Sequence, residues 1–261
     1  MKTWIFLAFL LTALSIVNES SAAEYNAKSL FPLEKGSYWL YKGNIRWTPE
    51  GENQKVKSKV ITWKMTIHEV FESARVKVAL VTGFPNDVAW YEEGMTPKYS
   101  LLAQTEDAVL WNGYETEKEA LEAAKAIVAK GIEAGPNLKT LLEFPLIEGK
   151  RYDVTDESRT DNMYAWNVEK VGKAEMKVKG IKPGAYKKST LVYRTLPDHI
   201  IVEFFDSIGI GRYVYKHHGT EAFEDLRLVE YGSSKKSTPN KKDAPARKPA
   251  RRSFDPLAKN E

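Results

Sequence analysis

Aromatic side chains beside turns are the most suggestive chemistry in this chain. Beyond the first 23 residues stand six tryptophans: Trp39, Trp47, Trp63, Trp90, Trp111 and Trp166. Trp63 and Trp166 fall on the apolar positions of alternating segments and read as core. Trp47 adjoins Thr48-Pro49-Glu50-Gly51, and Trp90-Tyr91 follow Pro85-Asn86-Asp87. Loop aromatics with polar neighbours can stack on a sugar ring or line an apolar cleft. Trp47, Trp90 and Tyr91 are therefore the candidate ligand-binding residues, weighed against the plainer role of clamping loops onto a sheet.

Other chemistries find less support. Acidic residues gather at Asp153, Asp156, Glu157 and Asp161, at Glu92-Glu93, and at Glu221, Glu224 and Asp225. A pair of them could serve glycoside hydrolysis, but nothing in the spacing fixes two carboxyls at catalytic separation. Of the four histidines, His68 lies on the polar face of a strand. His217 and His218 are adjacent, so on a strand they point to opposite faces. With His199 they give no set that would converge on a metal, and no cofactor is expected. Gly209-Ile210-Gly211 resembles a phosphate loop only superficially. The Arg212-Tyr213-Val214-Tyr215 that follows is a strand and not a helix N-terminus, so the glycines read as a turn or bulge. No glycine-flanked serine forms a nucleophile elbow.

The chain has no cysteine, which excludes thiolate zinc sites, cysteine nucleophiles, redox dithiols and an acylated N-terminal cysteine. Lys2, the apolar run from Trp4 to Val17, and Ser21-Ala22-Ala23 have the pattern of a signal peptide cleaved near Ala23. That run is short for a membrane span, and no second one follows. The net charge of +4 is unevenly placed. The last segment, 233–261, carries Lys235, Lys236, Lys241, Lys242, Arg247, Lys248, Arg251, Arg252 and Lys259 against Asp243, Asp255 and Glu261. The body is thus slightly acidic, so the basic pI does not mark a nucleic-acid-binding domain. The tail is rich in Lys, Pro, Ser and Ala and reads as disordered, a candidate contact for an anionic surface.

The elements that would position these residues are strands. Ile61, Trp63, Met65 and Ile67 alternate with Thr62, Lys64, Thr66 and His68, one face apolar and one polar. Similar segments cover 74–81, 98–103, 107–111, 164–168, 174–178, 189–194, 199–205, 210–216 and 224–231. One helix is predicted over about 117–130. Thr116 and Glu119 form its capping box, and Leu121, Ala124 and Val128 form its apolar stripe with Ile127 beside it. A short motif occurs twice. Phe31-Pro32-Leu33-Glu34-Lys35-Gly36 precedes Tyr38-Trp39-Leu40-Tyr41, and Phe144-Pro145-Leu146-Ile147-Glu148-Gly149 precedes Arg151-Tyr152. The repetition predicts two related β units.

The pattern Phe31-Pro32-Leu33-x-x-Gly36-x-x-Trp39-x-Tyr41 resembles a broad group of uncharacterised exported bacterial β-rich proteins. So do the turn Ile181-Lys182-Pro183-Gly184-Ala185-Tyr186 and the late segments 205–213 and 226–231. The likeness implies fold and export and brings no activity. In the second copy of the motif, Tyr152 stands where tryptophan would be.

These readings give a mainly β protein, with antiparallel sheets of half-barrel or sandwich-like form and one intervening helix. Its parts are a signal peptide (1–23), a first β unit (24–143), a second (144–232) and a basic tail (233–261). The expected role is non-enzymatic, periplasmic or secreted: binding an apolar or carbohydrate ligand or a protein partner. The alternatives are a hydrolase using loop carboxylates and a structural protein tethered to an anionic surface by its tail.

Overall fold

The computed structural model describes residues 31–49, 55–135 and 137–233. The signal-peptide and tail readings lie outside these, apart from Ser233. Twelve strands among the described residues form one antiparallel sheet: β1 (Tyr38–Trp47), β2 (Lys57–Glu72), β3 (Lys77–Thr82), β4 (Tyr99–Gln104), β5 (Ala108–Tyr114), β6 (Lys139–Glu143), β7 (Arg151–Tyr152), β8 (Trp166–Met176), β9 (Gly184–Arg194), β10 (Asp198–Phe205), β11 (Gly209–His217) and β12 (Phe223–Gly232). The order across the sheet is 6-5-4-3-2-1-12-11-10-9-8-7. Two meanders of six consecutive strands therefore meet where β1 pairs with β12, and the sheet curls into a nearly closed barrel. Of the two forms expected, half-barrel and sandwich, the half-barrel is the nearer.

The sheet's two edges, β6 and β7, are joined through side chains. The Tyr152 hydroxyl donates to Leu141 O at 2.9 Å, and Lys150 Nζ donates to Glu143 O at 2.9 Å and Phe144 O at 3.2 Å. Such capping satisfies carbonyls that an exposed edge would otherwise offer to another chain.

The doubled motif makes the same backbone contacts twice. Gly36, at φ +79°, donates to Ile67 O, and Ile67 donates to Ser37 O. Gly149, at φ +86°, donates to Val168 O, and Val168 donates to Lys150 O. A positive φ is readily open only to glycine, which explains the fixed glycine in both copies. Phe31, Leu33, Phe144 and Leu146 are all buried in the barrel interior.

The interior is filled by inward-facing residues of all twelve strands, with Trp39, Tyr41, Ile45, Met65, Phe204 and Leu226 wholly enclosed. Helix α1 (Glu117–Lys130) packs outside the barrel, on Val76, Val78, Leu80, Leu101 and Ala103. Its buried face consists of Ala120, Ala123, Ala124 and Ile127, so Leu121 and Val128 of the expected stripe lie at its margins. Three small alanines let the helix axis approach the sheet closely, which a leucine stripe would prevent. The capping box forms as expected. Thr116 Oγ1 accepts from Glu119 N and Glu119 Oε2 accepts from Thr116 N, both at 3.2 Å. Thr116→Ala should cost about 1 kcal/mol in chemical denaturation.

Candidate functional site

One end of the barrel is crossed by the segment from Gly83 to Lys98, here called the strap. It leaves β3 at Gly83, whose φ is +72° and whose missing Cβ would meet Lys64 O at 2.2 Å. Any larger residue would push the strap off the sheet. Gly83 N donates to Lys98 O at 3.3 Å, closing the strap's base, and Trp63 Nε1 donates to Gly83 O at 3.0 Å. Phe84 then enters the core and stacks on Trp111, with ring centroids 5.3 Å apart. Pro85–Val88 form a single 3-10 turn, a short tight form suited to reversing direction over the sheet.

That turn is tied to the barrel by side chains. The Tyr213 hydroxyl donates to Asn86 Oδ1 at 2.7 Å, and Asp87 Oδ2 accepts from Lys98 N at 3.1 Å. Further along, Glu93 pairs with Lys59 at 3.3 Å and with Lys57 at 3.9 Å. The strap also carries two of the three aromatic residues singled out from sequence. Trp90 lies edge-on to Tyr215 at 6.0 Å and to His217 at 5.1 Å between centroids, yet remains 60% exposed. Tyr91, half-buried, meets Trp47 edge-on at 4.9 Å.

The structure thus brings Trp47, Trp90 and Tyr91 to one end of the barrel, in two adjacent ring clusters. Trp47 has a different setting from the one its neighbours suggested. It is the last residue of β1, 5% exposed, and continues the interior face of Tyr41 and Ile45. It supports Tyr91 from below and has little surface to offer a ligand.

Beneath the strap lies a group the sequence reading did not single out. Glu224 faces the interior from β12, paired across strands with Ile45 of β1 and Tyr215 of β11. It is 0% exposed, and neither carboxyl oxygen has a hydrogen-bond partner among the described residues. Burial holds its pKa well above the ordinary carboxyl value, and nearby Asp87 adds to the rise. Burial likewise pushes Asp87 up to about 7, against the Lys98 N–H, which favours its charged form. Tyr213, wholly enclosed, is raised well above the usual phenol range by the same burial. Tyr215 donates to Asp198 Oδ1 at 2.8 Å. The sequence grouped Glu224 with Glu221 and Asp225 as loop acids. Leu226 and Leu228 carry the signal that places it, since strand alternation from them assigns Glu224 to the same buried face.

Several of the other acids have partners of their own. Asp225 accepts both arms of Arg212 at 2.8 Å, which holds its pKa low, and Glu221 pairs with Arg46 at 3.7 Å. Asp161 is lowered by its bond from Arg159, and Asp156 accepts from Ser158 N and Oγ. Burial raises Asp153. His68 bonds Thr82, while His199 and His218 stack at 6.3 Å on the barrel's outside. No group of three His, Cys, Asp or Glu side chains that could hold a metal occurs among the described residues. No described helix is long and apolar enough to cross a membrane.

No family model matches the chain, and no curated protein matches it. Two solved structures are similar to it. One, from Bacteroides fragilis, is provisionally described as an exported protein with a YmcC-like fold (9% identity, TM-score 0.42, covering 78% of this chain and 99% of that one). The other, from Parabacteroides distasonis, is provisionally described as a lipoprotein (10% identity, TM-score 0.37, with the same two coverages). Both are too distant in sequence and shape to bear on chemistry.

Proposed function

We propose that the protein is an exported, non-enzymatic binding protein that takes an apolar or carbohydrate ligand at the strap. The observation that carries the reading is Trp90: a large aromatic ring left 60% exposed while its edge is fixed against Tyr215 and His217. Exposing such a ring forgoes burial, and a rigid, partly wet aromatic is the kind of surface on which sugars and apolar groups stack. Of the aromatic residues named from sequence, Trp90 would meet the ligand, Tyr91 would border it, and Trp47 would hold Tyr91 in place. Export rests on the N-terminal pattern ending at Ala23.

The test is tryptophan fluorescence during titration with an alkyl glucoside, a glucose oligomer and phenethyl alcohol. At least one should produce a saturable change that Trp90→Ala abolishes. The variant's stability should stay within about 1 kcal/mol of the parent, because the ring is mostly solvated. A saturable change that survives in Trp90→Ala, or none with any probe, would sink the reading.

A further inference from the structure

We infer that the site under the strap accepts a ligand bearing an organic ammonium group, whose charge is met by Glu224 and Asp87. This deepens the proposed function and rests on it. Buried carboxyls in folded proteins are bonded or paired, since an unmet polar group removed from water is costly. Glu224 breaks that rule twice, once for each oxygen.

Its surroundings do not supply the missing partner. From β1 it faces Ile45, from β11 Tyr215, and from the strap Asp87. The Tyr213 hydroxyl is committed to Asn86 and that of Tyr215 to Asp198. The neighbouring cations are engaged elsewhere. Arg46 pairs with Glu221, Arg212 with Asp225, and the Lys98 ammonium with Glu115 at 2.9 Å. A second acid therefore sits in the field of Glu224 with no basic side chain bonded to it. A single neutral donor could satisfy one oxygen, but only a cation would stabilise the charged form of these two neighbouring carboxyls.

The neighbouring rings select an organic cation over a metal ion. Trp90 stands on Tyr215, and Tyr215 is the cross-strand neighbour of Glu224, so aromatic faces lead from solvent to the acid. Ammonium groups are attracted to such faces, and the ligand's apolar body would meet the same rings. A metal would want three or more donor side chains, and no such group occurs among the described residues. The strap is the part that moves to admit the ligand. Phe84, Val88 and Ala89 anchor it in the core, while over the barrel mouth it is held by the Asn86 bond, the Trp90 and Tyr91 ring contacts and the exposed Glu93 ion pairs.

The test compares phenethylamine with its neutral counterpart, phenethyl alcohol, on the full chain by calorimetry and tryptophan fluorescence. The amine should bind about tenfold or more tightly. Asp87, raised by burial to about 7, holds a proton below that pH which an ammonium group must displace, so amine binding there should release about one proton, read from buffers of different ionisation enthalpy. Glu224→Gln should remove the amine's advantage over the alcohol. Equal affinities in the parent chain, or amine binding without proton release, would overturn the inference while alcohol binding upholds the proposed function. Binding of neither probe would overturn the inference outright. The proton count is taken on the unmodified chain, so the result stands even if the variant fails to fold.

Discussion

Trp39→Ala is expected to lower the free energy of unfolding by about 3–5 kcal/mol, the usual cost of emptying a fully buried tryptophan site. Trp39 is 0% exposed and touches both meanders. Its ring lies 5.7 Å from Phe31 and 5.3 Å from Tyr231, and Gly209 fits against its edge where a Cβ would come within 3.5 Å. Its indole N–H donates to Ile208 O at 2.6 Å, in the turn between β10 and β11. Alanine would therefore leave a cavity and an unpaired buried carbonyl in the same place. Trp39→Phe separates the two effects, because it restores most of the volume but not the bond; about 1–3 kcal/mol should remain lost. Urea denaturation of the three proteins decides the matter. A loss under about 1 kcal/mol for the alanine variant would show that the interior collapses around the site. Tyr152, at the matching place in the second motif, is also buried and donates to a carbonyl, that of Leu141 across the seam. The exchange of indole for phenol thus keeps the principle of a buried aromatic donor and changes which strand it ties down.

The elements were legible where the periodicity was regular. Ile61 to Ile67 alternate without a break, and β2 runs through them; the capping box at Thr116 marks the helix start. Periodicity fails at bulges. The register shifts between Ile67 and Glu69 in β2 and between Val168 and Lys170 in β8, and one extra residue in a strand carries no signature in sequence. The five residues of β6 were too few to show a period. The pairing of β1 with β12, which makes one sheet of two meanders, joins opposite ends of the chain and leaves no local trace. The matching bonds at Gly36 and Gly149 support our reading of the meanders as two related units, which stays a proposal. Within the site, turn neighbours drew attention to Trp47, Trp90 and Tyr91. They do not reveal that Trp47 is buried, because its strand runs on to the turn itself. Acidity hides Glu224 among the surface carboxylates, and only its phase with Leu226 and Leu228 marks it as buried.

Asp87→Asn should stabilise the protein at pH 8 and flatten its response to pH. Burial lifts the Asp87 pKa from the ordinary 3.8 to about 7, so the folded state holds a proton that the unfolded chain has already lost. Stability from this group is fully present below pH 3.8 and is lost as pH rises through about 7. A shift of that size corresponds to at most about 4 kcal/mol. Glu224, raised by burial and by Asp87 itself, acts in the same direction. Asparagine keeps an oxygen for the Lys98 N–H but carries no charge, so the strap should remain seated. The difference in unfolding free energy between variant and parent, followed from pH 4 to pH 8, should grow in the variant's favour across that interval. Parallel curves would mean that the folded state relieves the Asp87 charge in some other way, for instance by letting water under the strap. If the gap does open, the parent chain is less stable at neutral pH than it need be, and the strain lies in the segment that covers the Glu224 carboxyl. A cation arriving there would remove the repulsion and seat the strap, so ligand binding and strap closure would draw on the same electrostatic free energy.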